Sequence, residues 1–154
     1  AIRGGIGDSE WREAIALLLQ RRHPASDSSR AVSLWSAGVG RIDSGTLSLL
    51  RRCAPNGRLV LLTNATSRLR DDLREHGLSD AFASVVSSSD VGAVKPEAGI
   101  FSAALDACGC DAGSVVCIDD EERNVAAARE LGIHAHRHTS GDALREFLAR
   151  ARLL

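Results

Sequence analysis

The stretch Ser114-Val-Val-Cys-Ile-Asp119-Asp120-Glu-Glu-Arg-Asn124-Val-Ala-Ala-Ala-Arg-Glu-Leu-Gly132 decides the fold. Val115 to Ile118 make a short, uninterrupted apolar run, the pattern of a strand buried on both faces. Two carboxylates end it. An alanine-rich helical segment follows and stops at Gly132, placed as a C′ glycine. Ligands of open α/β sheets gather at the carboxyl ends of the strands, where this acidic pair sits. Adjacent carboxylates repel, so both stay ionised when they share a positive charge, most simply a hard cation such as Mg²⁺. The competing explanation is a helix N-terminus decorated with acids that favour the helix dipole.

Working outward, the chain from Arg58 alternates strands and helices. Leu59–Leu62 predicts a strand and Ser67–His76 a charged helix ending at Gly77. Ser84–Ser87 predicts a second strand. Pro96 suits the first position of a helix running to Cys108, with Gly109 at its end. After the quoted stretch, Ile133–His138 predicts a fourth strand and Asp142–Leu153 a final amphipathic helix. Strands separated by helices imply a parallel sheet in a three-layer α/β/α, Rossmann-like arrangement. The first third is helical instead. Asp8 or Ser9 caps a helix over about Glu10–Arg22 with Trp11, Ile15, Leu18 and Leu19 on one face. A second covers about Arg30–Ala37 with Val32, Leu34 and Trp35. A third, capped by Asp43 or Ser44, turns Leu47, Leu50 and Cys53 inward and stops at Pro55-Asn56-Gly57.

At 154 residues the chain is one domain, long enough to bury roughly two-thirds of its unfolded surface. Its 19 basic and 20 acidic residues give no support for nucleic-acid or membrane partners, which favour a basic bias. No apolar run approaches the roughly 20 residues of a membrane span. Four cysteines without C-x-x-C spacing fit a reducing, cytoplasmic setting. The chain begins at Ala1 and holds no methionine, so a processed or shortened product is expected.

Three polar groups fall on one edge of the expected sheet. Thr63-Asn64 ends the first strand and is expected to open directly into a helix, whose free N–H groups suit an anion. Lys95 lies in the loop Val91-Gly-Ala-Val-Lys-Pro96, a point charge suited to phosphate. Asp119 and Asp120 end the third strand. Singly, these are a cap, a solvated lysine and helix decoration. Together on one rim they describe a phosphate ester held against Mg²⁺.

Leu-Leu-Thr63-Asn64-Ala, Val-Gly-Ala-Val-Lys95-Pro96-Glu-Ala-Gly-Ile-Phe and Ile-Asp119-Asp120-Glu-Glu-Arg-Asn124-Val-Ala-Ala-Ala resemble the second, third and fourth motifs of the haloacid dehalogenase-like hydrolase superfamily. The similarity covers about Asp43 to Leu154. Residues 1–42 look like the last part of a helical cap and its return linker. The style resembles small bacterial phosphatases related to the N-terminal phosphatase domain of soluble epoxide hydrolase. The resemblance implies that Thr63 hydrogen-bonds the phosphoryl group with help from Asn64, and that Lys95 neutralises phosphate and nucleophile. It further implies that Asp120 binds Mg²⁺ directly, Asp119 binds it through water or a neighbour, and Asn124 orients them. A small phosphorylated metabolite is the implied substrate. Nothing in the sequence sets the oligomeric state.

One part of the resemblance is absent. The family begins with a strand ending in Asp-x-Asp, whose first Asp attacks phosphorus and whose second is general acid and base. Neither Asp71-Asp72 nor Asp8 with Glu10 follows an apolar strand. In the family fold that strand lies between those ending at Thr63 and Asp119. The core over 43–154 is therefore expected to lack its central strand, with the nucleophile upstream of this chain and the chain alone inactive. Re-pairing of the two inner strands, or a strand from another chain, are the alternatives. A non-catalytic binding module and a 2-haloacid dehalogenase are the competing functions. The acidic pair argues for metal and phosphate over halide. His134, His136 and His138 alternate, but sites about 6.5–7 Å apart along a strand sit poorly round one ion, so edge-strand histidines are expected. Cys108-x-Cys110 is expected to pack rather than react.

Overall fold

The computed structural model describes residues 1–38 and 40–154, without the side chain of Ala54. Helix α1 (Asp8–Arg22) starts earlier than the sequence suggests, because Gly7 rather than Asp8 or Ser9 is its N-cap. Glu10 reaches back to accept from the Gly7 N–H at 2.8 Å. Asp8 is thereby freed for other work: it accepts from Thr66 Oγ1 at 2.6 Å and pairs with Arg12 at 2.6 Å. Helix α2 (Ser28–Ser36) is capped by Asp27, which accepts from the Arg30 N–H. Trp11 and Trp35 meet edge to face at 5.8 Å and hold α1 against α2. Leu18, on the expected apolar face of α1, and Leu34 of α2 are exposed. Arg68 Nη1 donates to the Ser36 carbonyl at 2.6 Å, a second tie from this helical pair to the remainder. In α3 (Ser44–Cys53) Cys53 is buried as expected, and Leu49 is the other buried position, with Leu47 and Leu50 half-buried.

The strands are β1 (Val60–Thr63), β2 (Ser84–Ser87), β3 (Val116–Asp119) and β4 (His134–Arg137). Between them run α4 (Leu69–Glu75), a short α5 (Ser88–Val91), α6 (Ala98–Cys108) and α7 (Glu122–Glu130), and α8 (Gly141–Arg150) closes the chain. All pairing is parallel, as expected from alternating strands and helices, but it forms two pairs instead of one sheet. Leu61 lies opposite Val85 in the first pair, and Cys117 opposite Ala135 in the second. Among the described residues no ladder joins β1 to β3, so the two have not re-paired with each other.

Three layers result. Ile100 and Phe101 of α6 and Val125 and Ala128 of α7, all fully buried, pack on one face with Val60, Leu62 and Cys117. On the other face Leu49 and Cys53 of α3 and Leu144 and Leu148 of α8 pack with Ile118. Cys117 and Ile118 thus point to opposite faces, the two-residue alternation of a strand. Gly132 adopts φ +81° after α7, while the Ile133 N–H bonds Ala128 O and ends the helix as a C′ glycine allows. Helix α8 is started by Ser140, whose Oγ accepts from the Ala143 N–H at 3.2 Å. Ser140→Ala is expected to lower folding stability by about 1 kcal/mol, read as a lower urea midpoint. No described helix is long and apolar enough to cross a membrane.

Candidate active site at the strand ends

The C-terminal ends of β1 and β3 and the loop before α6 bring the rim together. Lys95 Nζ donates to Asp119 Oδ2 at 2.6 Å and to the Leu62 carbonyl at 3.1 Å. One ammonium therefore touches both strand pairs. Asp119 Oδ1 accepts from Asn124 Nδ2 and from the Glu121 N–H, each at 2.9 Å. Asn124 stands in the first turn of α7, five residues after Asp119, so the strand-to-helix turn itself delivers the amide. Burial pushes the Asp119 carboxyl up. Hydrogen bonds from Lys95, Asn124 and the Glu121 N–H, with the lysine charge, outweigh it and hold the group below the usual carboxylate range. The acidic pair is thus divided: Asp119 is buried and neutralised by Lys95, and Asp120 is exposed.

Other expectations shift. Thr63 does end β1 on this rim, but no helix opens after Asn64: α4 begins at Leu69, after a turn at Ser67 and Arg68. Its seven residues offer no anion site beside Thr63. The Asn64 amide is also committed, since Oδ1 accepts from the Lys95 N–H at 2.8 Å and Nδ2 donates to the Lys95 carbonyl at 3.1 Å. This two-point clamp fixes the backbone of the lysine. Pro96 is not helical; Glu97 precedes α6 and folds back onto the Val94 N–H at 3.1 Å. Arg3 forms an ion pair with Glu97, which brings the N-terminal segment against the lysine loop.

Ser88 escaped the sequence reading. Fully buried at the start of α5, its Oγ accepts from the Ala65 N–H at 3.0 Å and donates to the Ala65 carbonyl at 3.2 Å. It holds the loop carrying Asn64 to the end of β2. The run Ser87-Ser88-Ser89-Asp90 after a strand was the available signal, though nothing in it marks which serine is buried. Ser88→Ala leaves the Ala65 amide without this partner, and a loss of about 1–3 kcal/mol is expected in a denaturant titration. The histidines of β4 lie on a strand at the end of its pair. His136 stacks on Phe147 at 4.6 Å, an interaction of packing.

A magnesium ion is compatible with these side chains. The donors are all oxygens, suited to a hard cation that keeps several waters and takes one or two carboxylates plus phosphate. Asp120 offers a carboxylate open to solvent. Asn124 Oδ1, four residues further along the chain, is a buried oxygen without a protein hydrogen-bond partner, an acceptor that a metal-bound water would suit. Among the described residues no cluster of three metal-ligating side chains forms.

A family model of haloacid dehalogenase-like hydrolases matches residues 5–132. The haloacid dehalogenase-like hydrolase domain-containing protein 3 of Danio rerio is 36% identical over 95 residues, 60% of this chain and 39% of that protein. The chain thus spans well under two thirds of this relative. A HAD family enzyme of Bacteroides thetaiotaomicron, solved in complex with magnesium and inorganic phosphate, is 25% identical with a TM-score of 0.73. That similarity covers 91% of this chain and 73% of the enzyme. A HAD-like family hydrolase of Porphyromonas gingivalis shares the fold at TM-score 0.73 and 23% identity, over 97% of this chain and 75% of its own. The matched span takes in β1, the Lys95 loop and the β3–α7 turn, the same three places where the polar rim is built. The chain belongs to the haloacid dehalogenase-like hydrolases.

Proposed function

We propose that this chain carries the electrostatic half of a Mg²⁺-dependent phosphohydrolase site for small phosphorylated metabolites. The observation behind this is the divided acidic pair: Lys95 is bonded to buried Asp119, Asp120 is exposed, and the Asn124 side-chain oxygen has no protein hydrogen-bond partner. Complexes of the Bacteroides thetaiotaomicron relative with magnesium and phosphate point the same way. Residues 1–42 serve as the later part of a helical cap with its return linker, and 43–154 as the α/β core.

Each residue then has a task. Thr63 donates its hydroxyl to a phosphoryl oxygen. An ammonium has three donors; Lys95 spends two on Leu62 and Asp119 and turns the third to the phosphoryl group. Asn64 fixes the lysine backbone. Asp120, with Asp119 through water, holds Mg²⁺, and Asn124 keeps Asp119 oriented. When bound, Mg²⁺ offsets charge on the phosphoryl oxygens and templates their geometry. The attacking carboxylate belongs to a first motif outside these residues. It forms a bond to phosphorus as the ester oxygen leaves with a proton, and water then releases phosphate and restores the carboxylate. On this reading the rim alone binds without turnover.

Calorimetric titration tests it. Inorganic phosphate is expected to bind saturably only when Mg²⁺ is present, and Mg²⁺ to bind more tightly with phosphate. Phosphate binding that ignores Mg²⁺, or no binding of either, would overturn the proposal.

A further inference from the structure

Helix α6 runs away from the rim. It begins just after the Lys95 loop and ends at Cys108, 11 residues in all, or about 16 Å along its axis. The far end lies by the start of β3, where Ser114 borders the same surface as Cys110. The chain there reads Asp106-Ala-Cys108-Gly109-Cys110-Asp111, and both cysteines are free thiols.

Local geometry brings this pair together. Gly109 ends α6 with φ +66° and ψ +30°, the mirror image of a helical residue. Across trans peptides, the distance between Cα atoms two residues apart depends only on φ and ψ of the residue between them. Helical values set it at about 5.4 Å, from a radius of about 2.3 Å and a rise of about 1.5 Å, and a mirror image keeps it. Disulfides bridge Cα atoms about 4.4–6.8 Å apart, so the backbone spacing already suits a bond between Cys108 and Cys110. The Cys110 thiol also folds back: its Sγ donates to the Cys108 carbonyl at 3.5 Å.

The four thiols differ in access. Cys53 is buried between α3 and α8, Cys117 is half-buried within β3, and burial pushes both thiols up. Cys108 is half-buried; burial and the neighbouring Cys110 raise its thiol, and the Arg58 charge opposes them. Cys110 is exposed, not packed as the sequence suggests. It borders an open concavity of about 540 Å³ shared with Leu105, Asp106, Gly109, Asp111 and Ser114. That volume admits a small molecule. Two carboxylates line it, which favours a cationic partner over an anionic one.

We propose that Cys108 and Cys110 form a thiol–disulfide exchange site that takes small cationic disulfides. Cys110 gives its proton to water, and the thiolate attacks one sulfur of the disulfide. A bond forms between Cys110 and that sulfur; the other half leaves as a thiolate and takes up a proton. Cys108, deprotonated in turn, attacks the Cys110 sulfur. The Cys108–Cys110 bond forms, and the second half leaves as a thiol. The protein dithiol loses two electrons and the small disulfide becomes two thiols. None of these groups lies on the rim, so the exchange does not rest on the phosphohydrolase reading.

The test uses the full chain, reduced and freed of reductant, with cystamine as the cationic disulfide at neutral pH. Mass spectrometry is expected to show the loss of two hydrogen atoms and no retained cysteamine. Cleavage after aspartates yields residues 107–111 apart from Cys117, and the loss is expected in that peptide. Cys108→Ser is expected to stop with one cysteamine on Cys110, because no second thiol displaces it. Cys110→Ser is expected to react at Cys108 at least tenfold more slowly than Cys108→Ser reacts at Cys110. Glutathione disulfide, which is anionic, serves as the comparison. The rate ratio of cystamine to glutathione disulfide at low salt is expected to fall at least threefold when Asp106→Asn and Asp111→Asn are combined. Four results each overturn the proposal: cysteamine retained by the unaltered chain, a disulfide to Cys117 or between chains, equal rates in the two serine variants, or an unchanged rate ratio.

Discussion

Asp119→Ala is expected to cost about 3–5 kcal/mol of folding stability, the effect of breaking a buried pair and stranding one charge. Lys95 and Asp119 expose only 13% and 5% of their side chains, so water cannot readily replace the lost partner. A domain of ordinary stability, about 5–15 kcal/mol, would lose a large share of it. Urea unfolding at pH 7 measures this, and a loss below about 1 kcal/mol would show that the pair is solvent-screened. Acid tests the same contact with the sign fixed by titration. The Asp119 carboxyl titrates lower folded than unfolded, so its stabilisation is fully present above about pH 3.9 and fades as pH falls through the folded value. Asp119→Asn is expected to remove that part of the acid sensitivity.

Asp120→Asn is expected to behave in the opposite way. The side chain is exposed, so folding stability should move by no more than about 0.5 kcal/mol. Affinity for Mg²⁺ in the presence of phosphate should fall by about 100-fold or more, since even residues supporting a ligand commonly matter 10–100-fold. Calorimetry on the folded variant separates the effects. Unchanged Mg²⁺ affinity would remove Asp120 as a ligand. Adjacent in sequence, the two aspartates are thus expected to differ almost completely: one a determinant of stability, the other of metal binding.

Much of the fold was legible locally. Ser84–Ser87 was placed to the residue, and β1 and β3 were each expected one residue early. Short strands at alternating spacing announce themselves through apolar runs and the glycines that end the helices between them. What lacked a local signature was missed. Helix α5 is four residues long and too short for any period to show. Gly7 caps the first helix and Asp8 bonds Thr66 instead, some 58 residues away, a partner invisible to capping rules. The clamp made by the Asn64 amide has no local signature either. Its partner, the Lys95 backbone, lies 31 residues on.

The sequence by itself determined the parallel α/β class and the family resemblance, and it put Thr63, Lys95, Asp119, Asp120 and Asn124 at strand ends and loops on one rim. Apolar runs, helix stops and motif spacing are local properties, and they survive folding. Only the tertiary structure decided that Lys95 pairs with Asp119, that Asp120 is left exposed, and that among the described residues no ladder joins β1 to β3. Those outcomes depend on which distant groups the closed loops bring within about 3 Å of each other, where burial makes a charge pair or an unmet hydrogen bond decisive.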